Sequence, residues 1–172
     1  MGLVHVYTGD GKGKTTASLG LILRSLGWGR KVCMIQFIKG YSEIGEAFFA
    51  KDNPNFTFIQ VSDSKIRDIK EDQVKQMKAD AEKSFEIAKE EIYSGKYDLI
   101  VLDEINNAIN YDLLDINKVI DLIKNRPENI ELVMTGRHAK DEIIELADYV
   151  TEMRLVKHPY QKGIFAREGI DY

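Results

Sequence analysis

The stretch "LVHVYTGDGKGKTT", residues 3–16, constrains the fold most. An apolar strand, Leu3 to Thr8, runs straight into a loop with glycines at positions 9, 11 and 13, and "KTT" then opens a helix. The order strand, glycine turn, helix is the first unit of an alternating α/β chain. Gly9, Gly11 and Gly13 let backbone N–H groups turn inward around an anion. The helix that follows adds its positive N-terminus. The full phosphate-loop pattern is G-x-x-x-x-G-K-[ST]. Gly13-Lys14-Thr15 supply its end, but Thr8 stands where the first glycine belongs, and the nearest glycine, Gly9, comes one residue late. The expected cradle is therefore Thr8, Gly9, Asp10, Gly11, Lys12, Gly13, Lys14, Thr15 and Thr16. Lys14 is placed to reach phosphate oxygens and Thr15 to put a hydroxyl on Mg²⁺. A merely flexible glycine turn is the plainer reading, and the strand before and the helix after count against it.

The rest of the chain keeps the alternation. The helix from Lys14 to Gly29 carries an apolar stripe at Leu19, Ile22, Leu23 and Leu26, and Gly27 and Gly29 end it. Lys31–Ile38 and Phe56–Val61 read as strands. A long helix runs from Ile69 to Tyr93, with Val74, Met77, Ala81, Phe85, Ala88 and Ile92 at steps of three and four, a stripe suited to core packing. Tyr97–Glu104 and Ile130–Gly136 are further strands, and a short helix, Lys140–Ala147, leads to a sixth, "YVTEMRLV" (149–156). Strands alternating with helices imply a mainly parallel sheet of about six strands, covered on both faces. A length of 172 residues suits one domain. Residues 39–55, 62–68 and the tail after Val156 show the least regular pattern.

Composition narrows the partners. A net charge of −4, with lysine and arginine scattered along the chain, argues against a nucleic-acid binder. Cys33 stands alone and cannot form an internal disulfide, which fits a reducing compartment. No apolar run approaches the roughly 20 residues of a membrane helix, and no signal peptide precedes the loop. The expectation is a cytoplasmic protein with no membrane partner.

In such a sheet ligands bind at the carboxyl ends of the strands. Asp103-Glu104 ends the fourth strand. An acid there can hold the nucleotide's Mg²⁺ directly or through water, and its neighbour can activate water. Which of the two binds is open, and a helix cap is the plainer alternative. "QFIKGYSEIGE" follows the second strand and brings Lys39, Gly40 and Tyr41. Thr135-Gly136-Arg137 follows the fifth. The tail "VKHPYQKGIFAREGIDY" contributes Lys157 and His158. Each reads singly as a solvated loop residue; their clustering at strand ends favours a site.

The set "YTGDGKGKTTASLG", "QFIKG", "LIVLDEI", "VMTGR", "LADYVTEM" and "VKHPYQKGI…GIDY", in this order across essentially the whole chain, resembles the P-loop ATP:corrinoid adenosyltransferases. The resemblance implies a three-layer, RecA-like P-loop domain over residues 1–172. It implies that Co(I) of a reduced corrinoid attacks C5′ of ATP and that tripolyphosphate leaves, with ATP reversed in its loop relative to ordinary P-loop enzymes. It implies Mg²⁺ (or Mn²⁺) held by Thr15 and Glu104 with Asp103 in support. Lys14 and Glu104 are then the catalytic pair, Arg24 and Arg137 join the ATP site, and Lys39, Gly40, Tyr41, Lys157 and His158 form the corrinoid side. A flavoprotein reductant and a homodimer are the partners it leaves open. Two features that some members of that family carry are not matched in this sequence. It begins at the first strand, with no preceding segment to fold over the corrinoid. It also has no Phe-x-Trp pair after the third strand, since no aromatic residue lies between Ser62 and Phe85. Phe48 and Phe49 read as helix-packing residues and Trp28 as a surface residue. Residues 62–68 are expected to be mobile without corrinoid. The rival classes are a P-loop ATPase or kinase, with Glu104 as base, and a non-catalytic nucleotide-binding module.

Overall fold

A computed structural model describes residues 1–38, 43–61 and 71–172. Its strands are β1 (Val4–Thr8), β2 (Val32–Gln36), β3 (Phe56–Gln60), β4 (Leu99–Asp103), β5 (Glu131–Thr135) and β6 (Tyr149–Glu152). Its helices are α1 (Lys14–Gly27), α2 (Gly45–Lys51), α3 (Glu71–Tyr93), α4 (Ile105–Asn110), α5 (Ile116–Asn125) and α6 (Asp141–Leu146), and a short 3₁₀ turn spans Pro159–Lys162. The six strands form one sheet in the order β3-β2-β4-β5-β1-β6, and every pairing is parallel. This is the α/β architecture read from the alternation.

The strands read as apolar runs because both faces of the sheet are covered. On one face Val4, Val6, Cys33, Ile35, Ile100, Leu102, Leu132 and Met134 pack with α3, α4 and α5 residues such as Phe85, Ile105 and Val119. On the other, Val32, Met34, Leu99, Val101 and Val133 pack against Ile22 of α1. One strand thus feeds two cores by alternation, and the result is three layers.

The register lines up the strand ends. Gln36 sits opposite Asp103, Tyr7 opposite Thr135 and Thr8 opposite Glu152. The loop after β1 and the acids after β4 therefore share one edge of the sheet.

Several expectations need correction. Leu23 is exposed, while Lys14, Ser18 and Ile22 are the buried residues of α1. The stripe advances by four from Lys14, because Lys14 must point back into the glycine loop, and Leu23 falls one position off it. Val74 is likewise exposed in the opening turns of α3, although Met77, Ala81, Phe85, Ala88 and Ile92 are buried as expected. β6 ends at Glu152 rather than Val156 and is exposed along its length. It is an edge strand, and the chain beyond it turns over the glycine loop. Phe48 and Phe49 lie on α2, within a stretch read as irregular, and both remain about half exposed. Residues 105–129, for which the sequence reading assigns no element, hold α4 and α5. Lys39, Gly40, Tyr41 and the segment 62–68 lie outside the described residues.

Candidate active site

The glycine loop is built against the chain that follows β6. The Gly11 N–H donates to the Met153 carbonyl at 2.6 Å, and the Met153 N–H donates to the Thr8 carbonyl at 2.8 Å. A Cβ on Gly11 would lie 2.6 Å from the Met153 oxygen and 2.8 Å from the Arg154 carbonyl carbon. Gly9 has φ +92° and would meet the same Met153 oxygen. So these glycines answer two demands, inward-turned amides and close approach of a second backbone. Thr8 is committed to structure. It is buried, and its hydroxyl accepts the Ala139 N–H at 3.1 Å. The glycine that comes one residue late thus follows from β1 running through Thr8 to pair with β6.

Lys14 opens α1 and folds back into the loop. Its ammonium donates to the Gly9 carbonyl at 2.7 Å and the Gly11 carbonyl at 2.8 Å. Burial pushes its pKa down, with the Glu104 carboxylate opposing that shift.

Asp103 is fully buried at the end of β4. One of its oxygens accepts from the Thr15 hydroxyl at 2.9 Å and the Thr135 hydroxyl at 2.7 Å; the other accepts from the Gln36 amide at 3.0 Å. The Thr135 oxygen in turn accepts the Glu104 N–H at 3.0 Å. Glu104 has φ +64°, a left-handed conformation that costs a non-glycine residue about 1–2 kcal/mol. Its carboxylate accepts from the Asn107 amide. The strained turn separates two adjacent acids: Asp103 is locked below the loop, while Glu104 lines the cleft.

After β5, Gly136 (φ +130°) passes so close to α4 that a Cβ would lie 2.9 Å from the Asn107 nitrogen. The Asn107 side chain accepts the Arg137 N–H at 2.6 Å. Asp10 lies 4.0 Å from the Arg137 guanidinium and 3.7 Å from His138.

These parts enclose an open cleft of about 640 Å³. Asp10 through Thr16 form its floor, with Glu104 and Arg137 beside them, and His158 and the tail close the far side. Lys12 is ion-paired to Asp171, and Arg167 donates to the same carboxylate through its backbone N–H at 3.0 Å and its Nε at 3.1 Å. Lys12 and Arg167 hold the Asp171 carboxyl well below the usual carboxylate range.

The structure brings together most of the residues expected at the site. Arg24 on α1 and Lys157 on the tail are exposed and are not among the residues that line the cleft. Gln36 and Thr135 stand in strand-end stretches that the sequence singled out, but their role in holding Asp103 was not expected, and neither were Asn107 beside Glu104 or the Lys12–Asp171 clasp. Thr135 had a readable signal, the last residue of an apolar strand, and Asp171 stood in the quoted "GIDY" with nothing to mark Lys12 as its partner; Asn107 had no signal.

The donors fit a hard cation. Among the described residues no cluster of three or more histidine, cysteine or acidic side chains would hold an ion by itself. Thr15, Asp103 and Glu104 offer hydroxyl and carboxylate oxygens beside a phosphate cradle. That set suits Mg²⁺, which binds through one or two carboxylates together with substrate phosphates and water.

Comparison with known proteins shows the family. The family of ATP:corrinoid adenosyltransferases BtuR/CobO/CobP matches residues 1–172. A corrinoid adenosyltransferase of Sinorhizobium sp. is 39% identical, covering 99% of this chain and 80% of its own length. Those of Pseudomonas aeruginosa and Escherichia coli K12 are each 36% identical over 99% of this chain, and the matches cover 84% and 86% of their lengths. In fold, the chain is similar to the EssC ATPase 2 and 3 structure from Geobacillus thermodenitrificans. The TM-score is 0.52 at 12% identity, covering 99% of this chain and 35% of that one. The chain belongs to the ATP:corrinoid adenosyltransferase family.

Proposed function

We propose that this chain moves the 5′-deoxyadenosyl group of ATP onto the Co(I) of a reduced corrinoid, in adenosylcobalamin synthesis or salvage. A cobalt electron pair forms the Co–C5′ bond. The C5′–O bond breaks, and its electrons leave with tripolyphosphate. The protein needs no nucleophile and no base for this step. Its work is to align two substrates and to stabilise a highly charged leaving group.

The observation that carries this reading is the shared edge: Lys14, Thr15, Glu104 and Arg137 converge on one cleft with the glycine-loop amides. The amides from Gly9 to Thr15 and the Lys14 ammonium bind the triphosphate, and Lys14 exchanges the Gly9 and Gly11 carbonyls for phosphate oxygens. Thr15 and Glu104 would hold Mg²⁺ (or Mn²⁺), and Asp103 fixes the Thr15 hydroxyl. Bound there, the ion would neutralise charge on the triphosphate. Arg137 joins the phosphates and Arg24 serves the nucleoside. Lys39, Gly40, Tyr41, Lys157 and His158 form the corrinoid side. A flavoprotein supplies the electron and two copies associate. The setting is the cytoplasm; no described helix is long and apolar enough to cross a membrane.

The test is incubation with ATP, Mg²⁺ and chemically reduced corrinoid. A light-sensitive adenosylcorrinoid spectrum is expected. Its absence with cobalt fully reduced overturns the reading.

A further inference from the structure

The cleft has two unlike walls. One is the phosphate loop, polar and cationic. The other is the tail, which places Tyr160, Ile164, Phe165 and Ile170 along the same cleft. Tyr160 is 68% exposed and Phe165 67%. Their rings meet edge to face at 6.3 Å. Exposed apolar groups clustered at the rim of a site mark a surface that something covers.

The tail is also held in place by polar means. Asp171 ties it to Lys12 of the phosphate loop and to Arg167. The His158 ring accepts the Tyr160 N–H at 3.2 Å and caps the 3₁₀ turn. The aromatic rings therefore project from an anchored segment, without a core of their own to enter.

Resting on the transferase reading, we propose that Tyr160 and Phe165 form the platform on which the corrinoid ring lies. The reaction requires cobalt and C5′ to come within about 3–3.5 Å, so both substrates must share this cleft. The triphosphate claims the amide-lined, cationic wall. A corrinoid is a broad, flat ring with largely aliphatic faces and polar edges, and the apolar wall suits one of those faces. Lys157 and Lys162, both exposed on the tail, are available to the polar edges. The Lys12–Asp171 clasp joins the two walls, so it sets the spacing between the substrates.

The test separates binding from turnover. Calorimetry follows a Co(II) corrinoid, which cannot make the nucleophilic attack, binding to the ATP-loaded protein; ATP binding is measured alone. Tyr160→Ala and Phe165→Ala should each weaken corrinoid binding about tenfold and the double variant about a hundredfold. ATP affinity should stay within about twofold, and Tyr160→Phe should bind corrinoid like the wild type. Both side chains are exposed, so circular dichroism should show unchanged folding. Three results overturn the proposal: wild-type corrinoid affinity in the double variant, loss of ATP affinity instead, or loss only of self-association by sedimentation. The transferase reading fails separately, when the wild type makes no adenosylcorrinoid from the reduced cofactor; the platform then has no substrate to hold.

Discussion

Replacing Gly11 by alanine tests why the phosphate loop has its shape. A Cβ there would lie 2.6 Å from the Met153 oxygen and 2.8 Å from both carbonyl atoms of Arg154, where ordinary contact begins at 3.4 Å. All three neighbours are backbone atoms and cannot rotate aside. Either residues 153–154 move off the loop or the loop moves off them, and the 2.6 Å bond from the Gly11 N–H to Met153 is stretched in both cases. Overpacking of this kind costs about 1–3 kcal/mol and a strained hydrogen bond about 1 kcal/mol. A loss of roughly 2–4 kcal/mol is expected, read as a lower urea midpoint at unchanged slope. ATP affinity should fall with it, because the displaced amides belong to the cradle. Gly20→Ala is the control. Nothing lies within 4 Å of its Cβ, and alanine in a helix interior is favoured over glycine by about 0.5–1 kcal/mol. A Gly11→Ala protein with wild-type midpoint and ATP affinity would refute the close-approach argument.

Three more outcomes follow from the same geometry. Lys14→Met should abolish ATP binding by calorimetry while the protein stays folded; its pKa is lowered by burial, so the unfolded chain holds the proton more tightly. Wild-type stability relative to this variant should therefore rise as pH climbs towards the unfolded value of about 10.4, and a flat difference across that window contradicts the burial. Asp171 has a lowered pKa, first through the Lys12 hydrogen bond, so its clasp is intact above about pH 3.9 and is lost only as pH falls further. Hydrogen exchange at Ile170 and Asp171 should be equally protected, after correction for intrinsic rate, from pH 5 to 8 and unprotected in Asp171→Asn; opening of the wild-type tail within that range would count against the clasp. Ile22→Ala should cost about 2–4 kcal/mol in thermal unfolding, whereas Leu23→Ala, on the exposed side of α1, should stay within about 0.5 kcal/mol. Equal losses would return Leu23 to the core.

The sheet was legible because its strands are buried on both faces and read as unbroken apolar runs. The phosphate loop was legible because glycine and lysine spacing is a local signal. The α1 stripe misled because four leucine and isoleucine positions outweighed the phase set by Lys14, which the fold turns inward for its ligand. α5 carries readable signs, an Asp115 cap and buried Val119, Leu122 and Ile123, yet they lie in a stretch dominated by polar residues. α2 has no buried residue, so no stripe announces it. The division of labour between Asp103 and Glu104 was not readable, because it depends on one left-handed residue and on Gln36 and Thr135, which other strands bring to Asp103. The Lys12–Asp171 contact joins residues 159 positions apart, and no local pattern encodes such a pair.

The central claim is that the cleft holds ATP for transfer of its adenosyl group, with Glu104 as a metal ligand and not a base. Attack by Co(I) releases no proton, so a general base has no task. The direct measurement is phosphorus NMR of the products, for wild type and Glu104→Gln, with and without chemically reduced corrinoid, over a range of Mg²⁺ concentrations. The account predicts tripolyphosphate only when corrinoid is present, and the same product from Glu104→Gln at a higher Mg²⁺ requirement. Steady release of ADP and phosphate by the wild type without corrinoid, stopped by Glu104→Gln, would contradict it and identify Glu104 as the base of an ATPase.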